Sequence, residues 1–378
     1  MTTGSPHAAD VVIIGGGIIG CSIAFRIAQA RLSVIVLDRG EPGAEASSAA
    51  AGMLAPQGET VEPPSFADLC LASRELYPQF AAEVEEAGGL EVGYRRDGTL
   101  LVALDDAQEE ELEEVYHHQT RRGLSLEPLN SAQTHEHLQG LSLAIRGGLF
   151  VSGDHWVDNE RLMRALVEGC RQRGVQINSD QTVRRLNAKD GRVLSVEATS
   201  RSATVATSYS ADQFILAAGV WSPEIAATLG IKLVAQPCRG QMMEFDAEKE
   251  LPHVVRAGHH YLVPRSNRRI AVGTTAEYVG FEKRVTGEGL RSILEGAMRV
   301  APLVKNLRFR RAWAGLRPDT ADHLPVLGYG EPTNLIFATG HFRNGILLAP
   351  VTAQLTSELI FKGSASQPLE LYSPARFA

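Results

Sequence analysis

The sequence predicts an α/β domain of the Rossmann type, built to bind a dinucleotide, joined to an α+β domain with an antiparallel sheet. Three observations carry this. An apolar run, Val11 to Ile14, ends in G-x-G-x-x-G at Gly15, Gly17 and Gly20. A second apolar run, Val34 to Leu37, follows a helix-compatible stretch and stops at Asp38. That is the strand, turn, helix, strand and acid order of a dinucleotide-binding fingerprint. From Lys232 to Gly280 the pattern changes to strand-like runs, Gln241 to Phe245, Tyr261 to Pro264 and Arg269 to Gly273.

Each part of the fingerprint has a physical task. Gly15 permits the tight turn, Gly17 lets the backbone approach a pyrophosphate, and Gly20 lets the helix sit close to the sheet. The helix N-terminus offers free N–H groups and a positive dipole end to phosphates. Asp38 is placed to accept hydrogen bonds from a ribose diol.

Further along, Gly40 to Gly58 is rich in Gly, Ala and Ser and reads as a loop suited to close approach. Ser65 to Ala87 has helical spacing at Phe66, Leu69, Leu76, Phe80 and Val84. Gly98 to Leu104 reads as a strand and Asp105 to Arg122 as a charged, solvated helix. Asn159 to Arg173 is amphipathic, with Leu162, Leu166, Val167 and Cys170 on one side and Gly174 as its stop. Strands are expected at Val175 to Asn178, Val193 to Thr199, Gln213 to Ala217 and Asn334 to Thr339. Helices are expected at Thr286 to Val300 and Ala349 to Phe361. Residues 1 to 8 read as a polar tail, and no repeat or low-complexity segment stands out.

Composition narrows the function classes. The 378 residues are 44% hydrophobic and 21% charged, with a net charge of −7; this is a soluble globular profile and argues against a nucleic-acid partner. Cys21, Cys70, Cys170 and Cys238 are far apart and fit no metal spacing, so free buried thiols in a reducing cytoplasm are expected and no metal is. The apolar stretch Val11 to Phe25 follows Asp10 and is interrupted by glycines. It therefore reads neither as a targeting signal nor as a membrane span.

Two more strand ends run into glycine far from the first, at Phe214 to Gly219 and Leu335 to Gly340, and a third small-residue region spans Ser47 to Met53. A nicotinamide is held mostly by one contiguous half of a domain, whereas a resident flavin is gripped from several distant segments. The spread favours FAD.

At this point the residues resemble those of the glycine oxidases, the amino-acid oxidases of the thiamin pathway, within the D-amino-acid oxidase and sarcosine oxidase superfamily. The likeness runs nearly end to end. It is carried by Ser48-Ala49-Ala50-Ala51-Gly52-Met53-Leu54, by Trp313-Ala314-Gly315-Leu316-Arg317-Pro318, and by Gly340-His341-Phe342-Arg343-Asn344-Gly345-Ile346-Leu347-Leu348-Ala349-Pro350.

The resemblance implies an FAD-binding domain and a substrate domain whose antiparallel sheet covers the flavin. With the interleaved compositions it assigns 9–88, 147–230 and 311–378 to the former and 89–146 and 231–310 to the latter. It implies cofactor contacts from Ile18 and Ile19 at the phosphates, from Asp38 with Arg39 at the adenosine ribose, and from the backbone at Val183 near the adenine. Ala46, Ser47, Ala51, Gly52 and Met53 would run along the pyrophosphate and ring. His341, Phe342, Arg343, Asn344, Gly345, Ile346 and Leu347 would pass the flavin pyrimidine.

For a substrate, it implies that Arg317 holds an amino acid's carboxylate, that Tyr261 donates a hydrogen bond to the same group, and that Arg343 adds positive charge beside it. The chemistry supports the assignment, because a guanidinium fork meets a carboxylate in bidentate geometry. The sarcosine oxidase branch carries a cysteine near the Trp313-Ala314-Gly315 segment that attaches its flavin. None stands here, so the FAD is expected to be non-covalent. Where the family often has methionine near the substrate, this chain reads Thr274-Thr275-Ala276-Glu277. Ala276 would then widen the pocket, and Glu277 would pair with a substrate ammonium or with an arginine such as Arg265. His259 and His260 precede Tyr261 and are either entrance residues or simply exposed.

The implied reaction is oxidative deamination of glycine, other small amino acids or N-alkyl glycines. It gives a 2-oxo acid (glyoxylate from glycine), ammonia or an amine, and hydrogen peroxide, with oxygen as the electron acceptor, in support of thiamin thiazole synthesis. The alternative is a D-amino-acid or hydroxyproline dehydrogenase that passes electrons to a quinone. A homo-tetramer is also implied.

Overall fold

The computed structural model describes residues 7–59, 63–202 and 205–377. Residues 1–6 of the expected polar tail lie outside the described residues, and Ala8 already belongs to the first strand, Ala8–Ile14.

From Val11 to Ile14 the first strand is a continuous apolar run, buried throughout because it is covered on both faces, as parallel strands of a doubly wound sheet are. It pairs in parallel with Val34–Leu37 on one side and with Thr207–Leu216 on the other. Gln176–Asn178 extends the sheet beyond Val34–Leu37, and Leu335–Thr339 and Val326–Tyr329 extend it beyond Thr207–Leu216. One face buries the helices Ile18–Ala28, Pro64–Gly88, Asn159–Gln172 and Gly345–Lys362 in a single core that includes Phe25, Tyr77, Phe80 and Leu166. The other face carries the antiparallel strands Thr182–Lys189 and Arg192–Thr199 and the short helix Ser222–Ala227.

The second sheet has the order Arg308–Thr320, Ala235–Asp246, Arg269–Gly273, His260–Arg265, Val254–Ala257, Thr99–Ala103, Gly147–Val151 and Glu127–Asn130. All its pairs are antiparallel except that of Val254–Ala257 with Thr99–Ala103. Strand alternation sorts its side chains onto two faces. Met243, Phe245 and Leu262 pack against Ile293 and Ala297 of the helix Gly287–Val300. Met242, Tyr261 and Val263 point the other way and pack with Ala51 of the first domain. This second face is the one that covers the nucleotide-binding edge.

Several expectations shift. Gly147–Val151 and Arg308–Thr320 both hydrogen-bond into the second sheet, so the boundaries expected at residues 147 and 311 cut across it. The strand Arg308–Thr320 is hidden in sequence by its charged, exposed first half. The last helix begins at Gly345, not Ala349, because the turn at Asn344 leads straight into it. The expected loop from Gly40 to Gly58 contains a single helical turn, Ala46–Ala49, and a short strand, Met53–Leu54, paired with His155–Trp156.

Candidate active site

A cavity of about 460 Å3 lies between the nucleotide-binding edge of the first sheet and the inner face of the second. Its walls draw on each glycine-rich strand end and on each stretch that carries the family resemblance. Gly15, Gly17, Ile18, Ile19, Asp38, Arg39, Ala46, Ser47, Ala51, Gly52, Met53, Val183, Tyr261, Arg317 and the run His341 to Leu347 all line it. Gly20 does not. A Cβ there would run into the carbonyl of Gly15, so Gly20 serves helix packing instead.

The turn works through backbone space. Gly15 has φ +108°, and a Cβ on it would strike the carbonyl of Ala217 on the neighbouring strand. The Ser47 hydroxyl accepts the N–H of Ile18 at 2.9 Å, which fixes Ser47 at the N-terminus of the first helix. The N–H groups of Ile19 and Gly20 find no acceptor among the described residues; this is the unfilled first turn that phosphates occupy. Asp38 accepts from Gly16 N at 2.7 Å and from Gly40 N at 2.8 Å. Burial pushes its carboxyl up from the usual range, against those two hydrogen bonds. Arg39 stacks 3.6 Å over the Trp221 ring and pairs with Glu45 at 2.9 Å, forming a flat wall at that end of the cavity.

The second sheet supplies the opposite wall. Arg317 lies across Gly240, where a Cβ would collide with its guanidinium. It donates to the Thr275 carbonyl at 3.1 Å and to the Thr274 hydroxyl at 2.9 Å. The Thr274 hydroxyl in turn donates to the Gln241 carbonyl at 3.0 Å. Among the described residues no carboxylate pairs with Arg317, so its remaining donors are open to the cavity. The Tyr261 hydroxyl, buried, donates among the described residues to the Met242 sulfur alone, at 3.2 Å, a weak acceptor that a carboxylate would outcompete. Arg343 is already paired, with Glu59 at 3.0 Å. Burial pushes the Glu59 carboxyl up, but Arg343, Arg256 and Arg317 together outweigh it and hold it below its ordinary value. Beside Arg343, Phe342 sits at φ +44°, a backbone state that a bulky residue adopts only under constraint.

Other expectations need correction. Ala276 is exposed and does not line this cavity; Thr274 stands at the wall in its place. Glu277 meets neither the cavity nor Arg265. It forms a two-point pair with Arg239 at 2.9 and 3.0 Å and accepts from Gln241 and Thr275. The Arg239 hydrogen bond, against some burial, holds its carboxyl at about 2. Arg265 instead faces Asp158, Asn159 and the Ala50 carbonyl. His259 is exposed, and the His260 ring lies against Gly296 of the outer helix, away from the cavity. His341 is buried with Nε2 3.1 Å from the Thr352 hydroxyl, and burial takes its imidazole down to about 3. It is neutral at any working pH.

Gly240, Thr274, Met242 and Trp221 were missed. Gly240 carried a signal, because a glycine inside an apolar strand marks a close approach. The others depend on pairings that only the fold creates.

The family described as FAD dependent oxidoreductase matches residues 10–359. The chain belongs to the FAD-dependent oxidoreductase family. It is 35% identical over 97% of its length to the bifunctional protein ThiO/ThiG of Trichormus variabilis, of which it spans 55%; it thus covers about half the length of the bifunctional relatives it matches. It is 32% identical to the glycine oxidase of Geobacillus kaustophilus, over 98% of this chain and 97% of that protein. The crystal structure of that glycine oxidase superposes with a TM-score of 0.92 at 30% identity, covering 98% of this chain and all of the other. An iminodiacetate oxidase from Chelativorans superposes with a TM-score of 0.87 at 26% identity over 96% of this chain.

FAD is the cofactor of this family, and the cavity fits it. Its phosphates would meet the open first turn beside Ser47, and its ribose the half-buried Asp38. Along its length, Ala50 and Ala51 present backbone N–H groups with no acceptor among the described residues. A backbone N–H without an acceptor is rare in a native fold, and a bound FAD would offer acceptors to these two.

Proposed function

We propose that this FAD-dependent oxidoreductase oxidises glycine and other small amino acids or N-alkyl glycines to the 2-oxo acid, ammonia or amine, and hydrogen peroxide, and so serves thiamin thiazole synthesis. The observation that carries the reading is Arg317, a guanidinium without an acid partner among the described residues, opening onto the same cavity as the small-residue loop Ala46 to Met53. Relatives named glycine oxidase, similar over nearly the whole chain, support it.

In this reading Arg317 and the Tyr261 hydroxyl hold the substrate carboxylate, which fixes the α-carbon against the cofactor; positioning of this kind supplies a large part of the rate. Gly240 and Thr274 hold Arg317 in place. The positive charge of Arg317 favours the neutral amine, the form whose nitrogen lone pair can form the C=N bond as the α-hydrogen leaves with its electron pair. Bound FAD supplies the acceptor for that hydride equivalent and the route by which the electrons reach oxygen. Water then hydrolyses the released imine to the 2-oxo acid and ammonia. Among the described residues that line the cavity none is a cysteine, which supports a non-covalent FAD.

The family resemblance also supports a homo-tetramer, and the four buried free thiols support a cytoplasmic location. Among the described residues no helix is long and apolar enough to cross a membrane.

The test is a peroxide-coupled screen of glycine, sarcosine, N-ethylglycine, D-alanine and D-proline with the purified yellow protein. Peroxide from glycine without an added acceptor supports the oxidase. Turnover only with an artificial acceptor would favour the dehydrogenase, and no bleaching of the flavin by any of these amines would remove the reading.

A further inference from the structure

We propose that Arg265 and Trp313 are positioning residues that aim the peptide N–H groups of Ala51 and Ala50 at the bound FAD and thereby raise its reduction potential. Both side chains belong to the second sheet, and both grip the backbone of the flavin-side loop. Trp313, on the same face of its strand as Gly315 and Arg317, donates from Nε1 to the Ala49 carbonyl at 3.1 Å. Arg265, on the same face of its strand as Tyr261 and Val263, donates from Nη2 to the Ala50 carbonyl at 2.8 Å.

In a planar trans peptide the C=O and the following N–H point in opposite directions. A carbonyl held by Trp313 therefore turns the Ala50 N–H away from the second sheet. A carbonyl held by Arg265 does the same for Ala51. Neither N–H has an acceptor among the described residues, and both residues line the cavity. Two adjacent donors, oriented in advance, stabilise an acceptor more as negative charge grows on it. Reduction of a flavin adds such charge.

The surroundings of Arg265 fit this role better than simple burial. Its side chain is wholly enclosed and balanced by Asp158 at 3.5 Å, which also accepts the N–H of Arg161 and so caps the helix Asn159–Gln172. Its Nε has no hydrogen-bond partner among the described residues. A guanidinium placed only for packing would be costly to leave partly unsatisfied. Here one fork is committed to a carbonyl at the cofactor wall. The Ser47 and Ser48 carbonyls are held on the same loop by Asn159, itself in contact with Arg265.

The proposal rests on FAD in this cavity and not on which amine is oxidised, so its test uses no substrate. The holoenzyme, Trp313→Phe, Arg265→Met and Arg265→Lys are equilibrated with reference dyes to read the midpoint potential of bound FAD, alongside thermal melting. Trp313→Phe and Arg265→Met should each cut the preference for reduced over oxidised FAD about tenfold, equivalent to a potential about 30 mV lower for a two-electron couple. Arg265→Lys, which keeps a charged donor, should recover most of that shift. Unchanged potentials in both truncating variants would overturn the proposal, whatever their melting temperatures. A Trp313→Phe protein that folds but no longer retains FAD would also overturn it, because the donors would then serve retention. Should Arg265→Met fail to fold, Trp313→Phe decides alone, since it keeps a ring in place. A negative glycine screen leaves the potentials readable and so fails separately.

Discussion

Gly240 lies directly beneath the guanidinium of Arg317; a Cβ built on it would stand 2.6 Å from Nη1. The two residues come from neighbouring strands, and the missing side chain of one is the space the other occupies. Gly240 carries no positive φ, so its backbone accepts alanine and the substitution tests space alone. Gly240→Ala should raise KM for glycine at least about tenfold, the scale of one weakened charge-assisted hydrogen bond. FAD content and flavin absorbance should stay as in the wild type. Steady-state kinetics beside a flavin spectrum checks it.

Removing the guanidinium should cost more. On the proposed reading Arg317→Ala would delete two charge-assisted contacts to the substrate carboxylate, each worth about 1.5–3 kcal/mol, so kcat/KM for glycine should fall by roughly a hundredfold or more. Arg317→Lys should recover only part, because an ammonium cannot present a planar fork. Unaltered kinetics in Arg317→Ala would take this residue out of the substrate site.

Asp38 ties two backbone segments together through Gly16 and Gly40. Asp38→Ala leaves both N–H groups without an acceptor and should lower stability by about 1–3 kcal/mol. It should also weaken FAD binding by tenfold or more if the carboxylate meets the ribose. Asp38→Asn keeps one acceptor oxygen and should fall between. Titration of apoprotein with FAD, followed by flavin fluorescence, separates the three.

His341 predicts a pH dependence of stability. Its folded value of about 3 lies below the ordinary 6.5, so between those values the unfolded chain binds the extra proton. The contribution is complete above pH 6.5 and is lost progressively as pH falls toward 3. Wild type should lose about 2 kcal/mol more than His341→Gln between pH 7.5 and 5, measured by urea unfolding. Parallel slopes for the two proteins would show that His341 takes no part in acid sensitivity.

Glu277 is a structural acid. Its pairing with Arg239 lies off the cavity, so Glu277→Gln should lower stability by about 1–3 kcal/mol while KM for glycine stays within about threefold. A large loss of turnover with normal folding would return Glu277 to the reaction.

The parts of the site that were legible share one property: their meaning is local. Gly15, Gly17, Gly20 and Asp38 work within one strand–turn–helix–strand unit, so their spacing alone implies the turn, the helix seat and the acid. The small residues from Ser47 to Gly52 likewise declare a close approach, because nothing else explains so few side chains. Arg343 and Glu277 illustrate the opposite. Each was visible as a charged residue in a suggestive place, yet the partner that defines it, Glu59 for one and Arg239 for the other, lies 284 and 38 positions away. Ala276 was read as pocket-forming from its place in a motif, and Thr274 holds that position instead.

By itself the sequence determined the nucleotide-binding unit, the helices with strong apolar spacing and the glycine-rich strand ends, since these follow from contacts within a few tens of residues. Tertiary structure alone decided that Arg308–Thr320 joins the second sheet, that Gly240 makes room for Arg317, and that Arg265 faces a backbone carbonyl of the flavin-side loop. Those outcomes depend on strand register between distant segments. A shift of one residue would turn every side chain to the other face, and nothing local in the chain records which register wins.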